Sequence, residues 1–65
     1  MTGKEIRAAL LLKNKYLTDI AREENVSKQF VSNVVNGHKR NSKVEFAVCR
    51  ALGQPYHKVW GHAAT

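Results

Sequence analysis

The feature that most restricts the fold of this chain is a pair of short amphipathic segments separated by only three residues, 25–27. Apolar side chains recur at helical spacing in residues 17–24 and again in residues 28–36. Asn25 tolerates the left-handed conformation that ends a helix, and Ser27 is a good N-cap for the next one. The spacing therefore predicts two helices joined by a tight turn.

Three further segments have helical patterns, and none of the chain alternates with period two for long. Residues 2–5 and 42–45 both have capping-box spacing, so we expect helix 1 and helix 4 to begin there. Gly53 ends helix 4, and Pro55 suits the first turn of a short fifth helix. These patterns predict an all-α, compact five-helix bundle, with residues 1–65 forming one domain.

Some apolar side chains fall outside the expected core stripes. Leu11 and Leu12 leave helix 1 apolar nearly all round, which favours burial on two sides over a self-association surface. Phe46 points away from the stripe of helix 4. We expect it to pack against Tyr56 or Trp60, and a dimer contact is the alternative.

The charge of the chain favours a polyanionic partner. Eleven Lys and Arg against five Asp and Glu give a net charge of +6 on 65 residues. Residues 25–44 contain four basic residues and no acid. Nucleic acid is favoured over an acidic membrane surface or an acidic protein.

The polar face of helix 3 has the chemistry of a base reader. Its polar residues span about 140° of arc, and the opposite side is apolar throughout. Lys28 can donate to guanine or phosphate, and Gln29 and Asn33 can each pair bidentately with adenine. Ser32 reaches base or backbone, and Ser27 at the helix N-terminus suits a phosphate. Taken alone, such a polar face is more often only the solvated side of a helix. Together with the turn spacing and the acid-free stretch, it favours DNA reading.

The same residues resemble a known family. Leu17-Thr18-Asp19-Ile20-Ala21, Asn25-Val26-Ser27, Val31 and Asn36-Gly37 are similar to the lambda-repressor-like (Cro/C1-type) helix-turn-helix domain. The resemblance covers residues 4–61, and residues 44–61 look closest to small phage-type, Ner-like regulators. It departs at Leu17, where many members carry Gln, at Asn25, where Gly is commoner, and at Glu24, where an apolar residue is usual.

The resemblance implies a function and roles for residues. Helix 3 becomes the recognition helix of a sequence-specific double-stranded DNA binder, a transcriptional repressor of phage or prophage type. The expected base-reading residues are Lys28, Gln29, Ser32 and Asn33. The expected contacts to the DNA backbone are Thr18, Ser27, His38, Lys39, Arg40, Asn41 and Lys43. A homodimer on a pseudo-palindromic site is also implied. The alternatives are a protein-interaction module, such as an antirepressor or antitoxin-like subunit, an RNA binder, and an architectural DNA-binding factor.

Other classes of function are disfavoured. No arrangement of residues typical of an enzyme is present, and we expect no cofactor or small-molecule ligand. Cys49, His38, His57 and His62 match no structural zinc spacing, and the lone cysteine excludes an intrachain disulfide. We find neither an apolar run of about 18 residues nor a secretory signal, so a cytoplasmic protein is expected.

Overall fold

The structure, a computed structural model, describes residues 1–61, which contain five α-helices. They are α1 (Gly3–Leu12), α2 (Leu17–Glu24), α3 (Lys28–Val35), α4 (Ser42–Leu52) and α5 (Tyr56–Trp60). Residues 1–61 contain no strand. The predicted all-α fold is therefore confirmed.

The apolar stripes of all five helices meet in one core. Its fully buried members include Ile6, Ile20, Val31, Val48 and Val59, one from each helix. α4 packs against both α2 and α3, so the two helices of the predicted pair share one supporting helix. Ala21 in α2 is 5% exposed, as expected for a small residue where two helices approach closely.

Local cap signals begin and end the helices. The Thr2 hydroxyl accepts from the Glu5 amide (3.1 Å), and the Glu5 carboxylate accepts from the Thr2 amide (2.7 Å). Asn25 ends α2 in the left-handed conformation (φ 57°, ψ 46°), and Gly53 ends α4 in the same way. Pro55 is the N-cap of α5 and lies one residue before it. The predicted boundaries thus agree with the structure to within a residue.

The capping box predicted at the start of α4 is wrong. The N-cap is Asn41, whose Oδ1 accepts from the Val44 amide at 3.0 Å. With Asn41 as the N-cap, the third helical residue is Val44. Glu45 is the fourth, one position too far along to accept from the backbone amide of the N-cap residue as a capping box requires. Its side chain is buried instead, with the residue only 3% exposed.

Burial of α1 on two sides is also contradicted. Leu11 and Leu12 are 54% and 88% exposed, because the buried face of α1 is the one with Ile6 and Leu10, beside which Ala9 is partly buried. Phe46 follows its prediction in part: its ring centroid lies 5.1 Å from that of Tyr56, and the residue is still 50% exposed.

Candidate nucleic-acid interface

The turn between α2 and α3 is held by local hydrogen bonds. The amide of Val26 donates to the carbonyl of Ala21 at 2.9 Å, which is possible because Asn25 reverses the chain. The Ser27 hydroxyl accepts from the Phe30 amide at 3.0 Å and caps α3. These bonds fix where α3 begins relative to α2.

α3 has a polar face exposed to solvent and, on its opposite side, an apolar face buried in the core. Val31, Val34 and Val35 are at most 3% exposed. Lys28 and Gln29 are exposed on the other side, and the two remaining predicted base readers, Ser32 and Asn33, are partly exposed. All four predicted base-reading residues therefore lie on one accessible face of α3.

Hydrogen bonds order the side chains of this face. Gln29 Nε2 donates to Asn33 Oδ1 at 3.1 Å. Asn36 Nδ2 donates to Ser32 Oγ at 3.3 Å, and Arg7 Nη1 donates to Asn36 Oδ1 at 2.8 Å. Sequence reasoning missed Arg7, because a contact between residues 29 positions apart leaves no local signal.

The basic loop between α3 and α4, residues 37–41, is anchored to α3 by its backbone. The amides of His38 and Lys39 donate to the Asn33 carbonyl at 2.8 and 3.2 Å. The loop bends at Gly37, whose φ of 86° suits glycine. The side chains of His38, Lys39 and Lys43 are exposed, so their charges or donors can face a phosphate backbone.

Arg40, by contrast, is engaged within the protein. Its Nε donates to Glu45 Oε2 at 2.8 Å and its Nη2 donates to the Tyr56 hydroxyl at 3.2 Å. The Glu45 hydrogen bond, followed by that of Tyr56, raises the pKa of Arg40 above its usual value. Tyr56 in turn donates to Glu45 Oε1 at 2.7 Å. Arg40 therefore ties the loop to α4 and α5, a role that sequence reasoning did not foresee.

A shallow depression of about 260 Å³ lies between α1 and the starts of α2 and α3. Thr18, one of the predicted backbone contacts, is exposed at its edge. The depression is lined by Arg7, Leu10, Leu11, Lys15, Tyr16, Leu17, Thr18 and Lys28. It therefore combines an apolar floor with three cations beside the start of the α3 face.

The two glutamates at the end of α2 form ion pairs with basic residues. Lys15 Nζ lies 2.6 Å from Glu23 Oε2, and this hydrogen bond raises the pKa of Lys15. Glu24, which stands where the resembled family usually has an apolar residue, is partly buried, and its Oε2 lies 3.5 Å from Arg50 Nη2. Both carboxylates thus have a basic partner within the domain.

A family model described as winged helix-turn-helix DNA-binding matches residues 1–62 of the chain. The chain belongs to this family. The helix-turn-helix assignment made from the spacing of α2 and α3 is therefore confirmed, and DNA is the partner that the family description names. Residues 1–61 contain no strand, so this part of the domain lacks a β-hairpin wing. Comparisons with curated proteins and with solved structures gave no match.

Within residues 1–61, no three His, Cys, Asp or Glu side chains are grouped to hold a metal ion. His62, one of the ligands weighed above, lies outside the described residues. Cys49 is buried, and this burial raises the pKa of its thiol. Of the helices described, none has the length and apolar character needed to cross a membrane.

Proposed function

We propose that this helix-turn-helix domain is a small transcriptional regulator that binds double-stranded DNA sequence-specifically, with α3 in the major groove. The observation that carries the proposal is the exposed polar face of α3, which holds amide, hydroxyl and ammonium groups and no carboxylate. An α-helix fits the major groove, where each base pair presents a distinct pattern of donors and acceptors.

The side chains divide into two groups by what they can contact. The base readers are Lys28, Gln29, Ser32 and Asn33. The contacts to the phosphate backbone are Thr18, Ser27, His38, Lys39, Arg40, Asn41 and Lys43. Within the second group, exposed lysines supply affinity through counterion release. Arg40 and Asn41 contribute mainly by holding the loop, since Glu45 and the Val44 amide engage their side chains.

The order of helices favours a particular kind of regulator. Five helices without a strand in residues 1–61 fit the Cro/C1-type domain that the sequence resembles, with small Ner-like phage regulators as the nearest group. We therefore propose a phage- or prophage-type repressor that acts in the bacterial cytoplasm. It would bind as a homodimer to half-sites about one turn of DNA apart.

A protein-interaction module is the second candidate. It is favoured by the exposed apolar side chains at the end of α1 and before α2. These are Leu11, Leu12 and Tyr16, which are 54%, 88% and 56% exposed. Exposed apolar clusters are typical of surfaces that bind other proteins.

Selection from a random double-stranded DNA library at near-physiological salt tests the proposal. We expect an inverted repeat to be enriched, which would indicate sequence-specific binding by a symmetric dimer. The variant Leu12→Gln is the matched control, because it removes exposed apolar surface away from α3 and should enrich the same half-site. No enriched motif, with binding that vanishes as salt rises, would contradict the proposal and favour the protein-interaction module.

A further inference from the structure

The hydrogen bond between Gln29 and Asn33 changes what these two side chains can do on DNA. They lie one turn apart on α3, and Gln29 Nε2 donates to Asn33 Oδ1 at 3.1 Å. A side-chain amide nitrogen has two hydrogens, and the bond uses one of them. Gln29 therefore keeps its Oε1 acceptor and one N–H donor for an outside partner.

These two remaining groups match one base edge. Adenine presents the N6 donor and the N7 acceptor side by side in the major groove, and a carboxamide meets both at once. Gln29 is exposed and has the longer side chain, whereas Asn33 is partly buried. Gln29 is thus the better placed of the two to reach a base.

Asn33 is the better anchored of the two. Its carbonyl accepts from the amides of His38 and Lys39, at 2.8 and 3.2 Å, so its backbone is tied to the loop after α3. Ser32, the neighbouring polar residue, is held separately by Asn36. The Asn33 side chain therefore extends from an anchored backbone, and the bond between its Oδ1 and Gln29 Nε2 limits the rotation of the Gln29 carboxamide.

We infer that Gln29 and Asn33 read one base pair as a unit, in which Gln29 contacts an adenine and Asn33 is the positioning residue that orients it. This inference rests on the proposed function. It replaces the expectation that each of the two amides pairs with an adenine of its own.

The test measures base preference position by position for four proteins, namely the full wild-type chain and the variants Gln29→Ala, Asn33→Ala and Asn33→Asp. Affinities for the selected site and for its single-base changes are compared at fixed salt. We expect both alanine variants to lose roughly tenfold discrimination at the same position. Asn33→Asp keeps an oxygen that accepts from Gln29. It should bind every duplex more weakly, because of its charge, yet keep discrimination at that position.

A measurement without DNA separates this inference from the proposed function. NMR relaxation of the Gln29 side-chain NH₂ group should show restricted motion in the wild type and free motion in Asn33→Ala. The exposed Gln54 serves as an internal reference. Thermal denaturation, monitored by circular dichroism, checks that each variant is folded.

The outcomes are distinct. Loss of preference at two different positions, or an Asn33→Asp variant that loses discrimination as Asn33→Ala does, would overturn the inference while leaving DNA recognition intact. A Gln29 NH₂ group as mobile as that of Gln54 in the wild type would also overturn it. A wild-type protein with no preferred site would overturn both this inference and the proposed function.

Discussion

Exposed basic side chains of this domain are not equivalent, because some are engaged within the protein. Lys39 and Lys43 extend from the loop and the start of α4 as exposed side chains, and within residues 1–61 neither forms an ion pair with a carboxylate. Arg40, between them in sequence, is held by Glu45 and Tyr56. Formal charge alone therefore overstates how many cations are available to a phosphate backbone.

Replacing Lys39 tests its role as a contact to phosphate. We expect Lys39→Ala to weaken binding to all duplexes alike and to lower the slope of log affinity against log salt by about 1. The measurement is fluorescence anisotropy over a series of salt concentrations. Lys58→Ala, which removes the same charge from α5, is the control and should leave the slope unchanged. Equal slopes for wild type and Lys39→Ala would rule out the contact.

Asn25 shows how one backbone conformation sets the geometry of the helix pair. Its φ of 57° lies in the left-handed region, where a Cβ-bearing side chain without a polar group costs about 1–2 kcal/mol. We therefore expect Asn25→Ala to lower the free energy of unfolding by about 1 kcal/mol, measured by urea denaturation. Asn25→Gly should be near neutral. Alanine as stable as asparagine at this position would contradict the assignment.

At the scale of elements, α1 and α3 meet at an unusually close contact. A Cβ added at Gly3 would lie 2.7 Å from Asn36 Oδ1 and 3.0 Å from the Val35 carbonyl oxygen. Arg7, one turn further along α1, donates to the same Asn36 side chain. α1 thus supports the C-terminal end of the helix that presents the polar face.

Gly3→Ala tests this contact through the sign of its effect. Alanine normally stabilises a helix relative to glycine by roughly 0.5–1 kcal/mol. Here the crowding against α3 should reverse the sign and destabilise the fold by about 1–3 kcal/mol, measured by thermal denaturation. Gly61→Ala is the matched control, since its nearest contact would be an ordinary 3.7 Å. A stabilised Gly3→Ala variant would show that the contact relaxes freely.

The loop, α4 and α5 are joined through Glu45. Tyr56→Phe removes the 2.7 Å hydrogen bond that the Tyr56 hydroxyl donates to the buried Glu45 carboxylate. The loss should destabilise the domain by about 1–3 kcal/mol in urea denaturation, because a buried charged acceptor loses a donor. Tyr16→Phe, at a residue 56% exposed, should have little effect. Equal stability of the two variants would argue against a structural role for Glu45.

Local signals could predict the helices, and contacts between distant residues could not be predicted. Asn25, Ser27 and Gly53 act on their own neighbours, so their roles follow from residue type and spacing. Asn41 and Ser42 are both good N-caps. The choice between them was missed because it depends on Glu45 turning inward to Arg40, which the sequence does not reveal.

The candidate site followed the same rule. The polar face of α3 could be predicted, because periodicity alone separates its two sides. The side-chain hydrogen bonds that order this face, from Arg7 in α1 to Asn36 and from Gln29 to Asn33, could not be predicted, because a pattern of residue types does not encode them. The exposure of Leu11 and Leu12 was likewise missed, because it depends on which side of α1 the other helices occupy.

At the scale of the whole molecule, size limits how much DNA one copy can read. The greatest extent of the domain is 29 Å, less than the roughly 34–36 Å between the centres of adjacent half-sites on one face of B-DNA. One copy therefore presents one α3 to one half-site. A second copy of the domain would extend recognition to a longer site, which agrees with the proposed homodimer.

The most direct test of the central claim, that the α3 face reads sequence while the loop supplies affinity, compares library selections. The wild-type protein, Gln29→Ala and Lys39→Ala are each selected against random double-stranded DNA at the same salt concentration. We expect Gln29→Ala to lose its preference at one position of each half-site and Lys39→Ala to enrich the wild-type motif from a smaller bound fraction. A Gln29→Ala motif identical to that of the wild type would contradict the claim.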